Sequence, residues 1–163
     1  MTVAFFPGRA RRAGVVLGAV SAGLLVLSAC DKPTPLATVT VGSDSVNTEA
    51  ACYNDGKPLK DSDAQPCLNK KATKTIKSAS DDTVRIGVDP ELADHGWAIF
   101  LDGRPIDPDL TKSTYRSEDG GLFFAPNQTT GQPAPAKQQL SILQVDGQKL
   151  AGVWNFTLEK KDS

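Results

Sequence analysis

From Ala37 to Leu158 the apolar residues of this chain recur in short runs at a period of two, and Gly, Pro, Asp or Asn closes each run. That period places every second side chain on one face of an extended strand. Turn residues at such close intervals leave no room for a helix of ordinary length. Such a chain is confined to short strands joined by turns.

The runs can be followed in order. Ala37–Val41 (ATVTV) alternates and is β-branched, and residues 45–53 read as a second, weaker strand ending at Cys52. Residues 54–71 are polar and turn-rich, an excursion from the strands. Residues 72–77 (ATKTIK) alternate, and Thr83–Val88 (TVRIGV) alternates better, with Val84, Ile86 and Val88 expected on the core side. Residues 89–95 (DPELADH) have the marks of one helical turn: Asp89 as cap, Pro90 at the first position and Glu91 near the positive end. Gly96 ends it, and Trp97–Leu101 (WAIFL) returns to strand with Trp97, Ile99 and Leu101 facing one way, before an Asp102-Gly103 turn.

The C-terminal part continues in the same manner. Residues 113–116 and 122–125 are expected as short strands around Asp119-Gly120-Gly121, and residues 127–136 (NQTTGQPAPA) as a loop. Residues 140–145 and 153–158 form an expected hairpin around Asp146-Gly147, with Trp154, Phe156 and Leu158 on one face. Asp-Gly recurs at 55–56, 102–103 and 146–147, which reads as turn chemistry and not as a repeat, because the flanks do not match over a longer period. Seven or eight short strands predict an all-β chain, an immunoglobulin-like β-sandwich with Trp97 in its core; a small β-barrel or an α+β domain is the alternative.

The N-terminal residues have another character. Arg9, Arg11 and Arg12 precede an uncharged run at 14–27 and the small pair Ser28-Ala29, the layout of a secretory signal. The run is shorter than the roughly 20 residues a spanning helix needs. Leu27-Ser28-Ala29-Cys30 resembles the bacterial lipobox, which implies cleavage before Cys30 and a lipid on its sulfur. Arg11-Arg12 leaves twin-arginine export open beside the general route. The expected organisation is a signal at 1–29, a lipidated cysteine and spacer at 30–36, and one domain at 37–160. Two or more acyl chains hold firmly where one binds marginally, so the membrane is engaged through the lipid.

Without residues 1–29 the chain carries 15 basic against 19 acidic side chains, a net charge of −4. Nothing in that balance attracts nucleic acid. With Cys30 assigned to lipid, Cys52 and Cys67 remain as an even pair in an exported chain, and a disulfide between them is expected.

Enzymatic signatures are missing. His95 is the one histidine, which excludes any site needing two; as a general base it would look to Asp94 or Asp89 for orientation, and a solvated loop residue is the simpler reading. No nucleophile elbow, phosphate-binding loop or dinucleotide fingerprint occurs. Asp61/Asp63, Asp81/Asp82 and Asp107/Asp109 are acid pairs without the rest of a calcium loop, and copper would want more histidine and methionine. No catalytic residue, metal or cofactor is therefore expected. Lys57, Lys60, Lys70, Lys71, Lys74 and Lys77 cluster, but Asp55, Asp61 and Asp63 interleave with them as on a solvated mixed face. Asn127-Gln128-Thr129 matches a glycosylation sequon, accidental in a bacterial lipoprotein.

The lipobox, the stretch DDTVRIGVDPELADHGWAIFLDGRPID at 81–107 and the closing Val153-Trp154-Asn155-Phe156 together resemble small lipoproteins of high-GC Gram-positive (actinobacterial) bacteria that carry a domain of unknown function. The resemblance implies a surface lipoprotein and supplies no activity. The expected function is a lipid-anchored extracytoplasmic binding or interaction module, with an envelope protein or wall polymer as partner. An accessory subunit of an envelope complex is the alternative, and a carboxylate-dependent glycan-active enzyme a more distant one. Ligand contacts are expected on the loops, above all at 54–71 and 126–137.

Overall fold

The computed structural model describes residues 33–126 and 131–161. The signal at 1–29, Cys30 and the sequon at 127–129 lie outside the described residues. In chain order the elements are β1 (Ala37–Val41), β2 (Asp44–Thr48), β3 (Cys52–Tyr53), α1 (Asp61–Leu68), β4 (Lys74–Ser78), β5 (Thr83–Val88) and α2 (Pro90–Ala93). Then follow β6 (Trp97–Leu101), β7 (Arg104–Pro105), β8 (Tyr115–Asp119), α3 (Gly120–Phe124), β9 (Lys137–Asp146) and β10 (Lys149–Lys160).

Two sheets face each other as an immunoglobulin-like β-sandwich, without closure into a barrel. The first is antiparallel, ordered β2-β1-β5-β8. The second is ordered β3-β10-β9-β6-β7, and β4 joins it parallel to β10, on the edge that β3 also occupies. Alternation sets the core. Val39, Val84, Ile86, Trp97, Ile99, Trp154, Phe156 and Leu158 all point between the sheets and are fully buried. Trp97 is a core residue whose Nε1 donates to the Ser113 carbonyl at 2.8 Å.

Four expectations need correction. Residues 45–53 are not one strand: β2 lies in the first sheet and β3 in the second. The Ala50 amide donates to Thr34 Oγ1 and the Ala51 amide to the Val153 carbonyl, so the backbone transfers from one sheet to the other between them. The polar excursion at 54–71 contains α1, with Asp61 and Asp63 in its first turn, where acids complement the helix dipole, and Pro66 inside it. Residues 122–125 are not a strand, because Asp119 Oδ1 accepts from the Gly121 amide at 2.7 Å and starts α3 instead. The strand expected at 113–116 is β8, displaced to Tyr115–Asp119.

The segment carrying α1 covers the outer face of the second sheet. Cys67, Leu143 and Val153 form a second, smaller cluster there, and the central residues of β9 and β10 are consequently buried on both faces. The Cys52–Cys67 disulfide, with Cα atoms 5.7 Å apart, ties β3 to α1 on this outer face and does not cross the sandwich.

The chain enters at one end of the sandwich. There the Pro35 carbonyl accepts from Trp154 Nε1 at 2.6 Å, and the Leu36 amide donates to Asp89 Oδ2 at 2.8 Å. From this end β6 runs from Trp97, opposite Gln144, to Leu101, opposite Leu140. The turn after Leu101 therefore lies at the far end.

Candidate functional site

That far-end turn is Asp102-Gly103. Both residues adopt left-handed conformations, with φ of 48° and 78°, as a two-residue hairpin turn between Leu101 and Arg104 demands. Residues 55–56 do the same, with φ of 49° and 72°, in keeping with the turn chemistry read from the Asp-Gly pairs. The far-end turn is fastened to β9: the Asp102 amide donates to the Gln139 carbonyl at 2.9 Å, and the Gln139 amide donates to Asp102 Oδ1 at 2.8 Å.

Two clefts flank this turn. One, of about 690 Å³, is lined mainly by apolar groups, among them Leu101, Ile106, Leu122 and Pro133, with Arg104 and Gln138 beside them. The other, of about 430 Å³, lies between α1 and the turn and is lined by Gln65, Asn69, Phe100, Asp102, Gln139 and Ser141. The loops singled out from the sequence thus supply one wall of each: residues 132–135 border the first cleft, and Gln65, Leu68 and Asn69 the second.

The wall formed by α1 is held from below by side chains of the sheet. Buried Asn155 donates through Nδ2 to the carbonyls of Cys67 at 3.2 Å and Lys70 at 2.8 Å, and its Oδ1 accepts from Ser141 Oγ at 2.7 Å. Gln139 Nε2 donates to the Leu68 carbonyl at 2.7 Å. Gln139 therefore holds both walls of the second cleft, one through its backbone and one through its side chain.

The other residues marked by the sequence lie elsewhere. His95 is exposed beside the 55–56 turn, its Nδ1 4.0 Å from Asp146 Oδ1, while Asp89 is engaged by the Leu36 amide. Asp82 accepts from the Ala79 amide and pairs with Lys161, and both contacts hold its carboxyl below the usual range. Asp107 is lowered in the same way by the Asp109 amide and Arg116, whose guanidinium also bonds Glu118. Asp61 and Asp63 occupy the first turn of α1. Of the lysines, Lys70 donates to the Ala51 carbonyl and Lys77 lies 3.6 Å from Glu159. Tyr53 donates to Glu91 Oε1 at 3.1 Å; burial first, and then Glu91, push its phenol up to about 12. Among the described residues no three His, Cys, Asp or Glu side chains are grouped to hold a metal ion, and no helix is long and apolar enough to cross a membrane.

Phe100, Gln139 and Ser141 also line the second cleft, and the strand pattern alone does not single them out. The signal for two of them is the alternation of polar Gln139 and Ser141 with core Leu140 and Ile142 along β9. Their side of the strand becomes a site because α1 folds over it.

No family profile matches the sequence, and neither does any curated protein. The chain is similar to fibronectin(III)-like modules of Clostridium thermocellum CbhA, at 8% identity and a TM-score of 0.37, over 57% of this chain and 92% of that one.

Proposed function

We propose that this chain is an exported lipoprotein, held at the outer face of the cell membrane by a lipid on Cys30, and that its sandwich is a non-catalytic binding or interaction module. We group it with the small actinobacterial lipoproteins that its sequence resembles. The observation that carries the reading is the pairing of Cys52 with Cys67, which leaves the third cysteine to the Leu27-Ser28-Ala29-Cys30 motif. A disulfide of this kind persists in an oxidising compartment.

The tether supports the same reading. From Cys30 to Leu36 the chain can span at most about 20 Å, given some 3.3–3.6 Å per extended residue. The end holding Pro35 would then lie close to the lipid surface. The two clefts, a full strand length away at the far end, would face outward, toward the envelope.

The test is the N-terminus of the protein taken from producing cells. Mass spectrometry is expected to find Cys30 as the first residue, bearing acyl chains, and Cys30→Ser is expected to release the protein into the medium. An unacylated N-terminus would refute the anchor. For the binding role, crosslinking on intact cells is expected to recover one partner repeatedly, and repeated recovery of none counts against it.

A further inference from the structure

We infer that the cleft between α1 and the Asp102-Gly103 turn binds a neutral saccharide. The inference rests on the reading of this chain as a binding module and is independent of its anchor.

The cleft's volume of about 430 Å³ falls in the range of small-molecule sites. Gln65 on α1 and Asn69, which caps its C-terminus with near-helical backbone, stand one helical turn apart, a spacing that aligns side chains on one face. Both are exposed, and their carboxamides have no partner among the described residues. Across the cleft, Asp102 uses Oδ1 for the Gln139 amide, which leaves Oδ2 for a ligand. Gln139 uses Nε2 for Leu68 and Ser141, which leaves its Oε1 as an acceptor. The Phe100 ring, partly buried, supplies an apolar surface beside these groups.

Other ligand classes fit this set less well. No lysine, arginine or histidine lines the cleft, so a phosphate or carboxylate would meet the Asp102 carboxylate with nothing to neutralise it. A single carboxylate is too few for a calcium ion. An apolar ligand would strip water from two carboxamides without replacing it, at about 1–3 kcal/mol for each unsatisfied group. An added peptide strand needs a free edge, and both edges of β6 are taken, by β7 and β9. A sugar meets each demand. Its hydroxyls both donate and accept, as carboxamides do; vicinal hydroxyls suit a carboxylate oxygen; and the C–H face of the ring packs on an aromatic side chain.

The site is also rigid before any ligand arrives. The disulfide, Asn155 and Gln139 fix α1, and Gln139 fixes the turn. Ordering costs on binding are correspondingly small.

The test uses the full chain, purified in detergent, with maltotriose, cellotriose, mannotriose, tri-N-acetylchitotriose and, as the anionic probe, trigalacturonic acid. Saturation-transfer NMR and calorimetry are expected to find at least one neutral trisaccharide bound with a Kd at or below about 1 mM. Gln65→Ala/Asn69→Ala is expected to weaken that binding at least about tenfold, or some 1.4 kcal/mol. Both side chains are exposed and alanine favours helix at position 65, so this variant keeps the fold. Asp102→Asn is expected to weaken binding as well, whereas Gln148→Ala, at the opposite end, leaves it unchanged. The inference is overturned if none of the neutral sugars binds, if the double variant binds as the parent does, or if trigalacturonic acid binds as tightly. Loss of the anchor reading would leave these measurements standing, and loss of sugar binding would leave Cys30 lipidation standing.

Discussion

Removing the Cys52–Cys67 bridge and the Asn155 carboxamide, singly and together, tests whether α1 is held to the second sheet as one unit. The bridge closes a separation of 15 residues, which in the chain-entropy account stabilises by about 3 kcal/mol. Asn155→Ala deletes three hydrogen bonds, to Ser141, Cys67 and Lys70, at about 1 kcal/mol each, so its cost is also about 3 kcal/mol. Independent effects would add to about 6 kcal/mol, a large share of the roughly 5–15 kcal/mol available to a domain. Both devices, however, act on the same helix. Once either is gone α1 can lift from Leu143 and Val153, and the second removal then has less to break. The expected loss for Cys52→Ala/Cys67→Ala/Asn155→Ala is about 4 kcal/mol, a coupling of about 2 kcal/mol. Urea unfolding followed by fluorescence of Trp97 and Trp154, both in the main core, measures the global term. Hydrogen exchange at residues 61–70 measures the local opening. Additivity within about 0.5 kcal/mol, or unchanged exchange in those amides, would refute the reasoning.

Three further outcomes are expected. Gly120→Ala should destabilise by about 1–3 kcal/mol in urea, as overpacking does, because the added methyl would meet the Ala79 carbonyl oxygen and lie 2.6 Å from that of Asp82; a stable variant would show that α3 shifts freely. Asp82, Asp107 and Glu159 are held below the usual carboxylate range, by the Ala79 amide, the Asp109 amide and Lys137 respectively, so the stability they contribute is present above that range and is lost as pH falls from it through their lowered values. Urea midpoints should thus drop below about pH 4, and Asp82→Asn should flatten the slope. Tyr53 runs the other way: its phenol is raised from 10.0 to about 12, so its contribution is complete below 10.0 and lost between the two values. Ultraviolet titration should show a tyrosinate step near the upper value, and Tyr53→Phe should remove it.

Where alternation and a strong stop coincide, the elements were legible from residues alone. Ala37–Val41, Thr83–Val88 and Trp97–Leu101 are strands with the faces expected of them, and Asp89-Pro90 opens a helical turn. Elements held by distant contacts were not legible. Gly120–Phe124 begins with two glycines, which disfavour helix, and is helical because Asp119 caps it and because Phe123 and Phe124 are buried against the core. Residues 61–68 contain Pro66 and little apolar surface, and they are helical because Cys67 is bridged and Asn155 reaches beneath them. The smaller cleft depends on that second case. Gln65 and Asn69 share a face only if 61–68 is a helix, so its far wall could not be drawn from the strand pattern.

The three helices share a dependence that also bears on the site. At eight, four and five residues each is too short to be stable alone. Neither α1 nor α3 ends in the left-handed glycine that usually satisfies the last carbonyls, and after α2 the amide of Gly96, at φ 97°, reaches only the Ala93 carbonyl. Carboxamides from the second sheet take the remaining carbonyls. Asn155 and Gln139 take the carbonyls of Cys67 and Leu68, Gln144 those of Glu91 and Leu92, and Gln138 that of Phe123. The glutamines spaced along β9 are therefore the caps of helices that lie far from them in sequence. It follows that Gln139 cannot be altered without loosening both walls of the smaller cleft together with the fold beneath them. Gln65 and Asn69, whose exposed side chains bond nothing among the described residues, are the positions where recognition separates from stability.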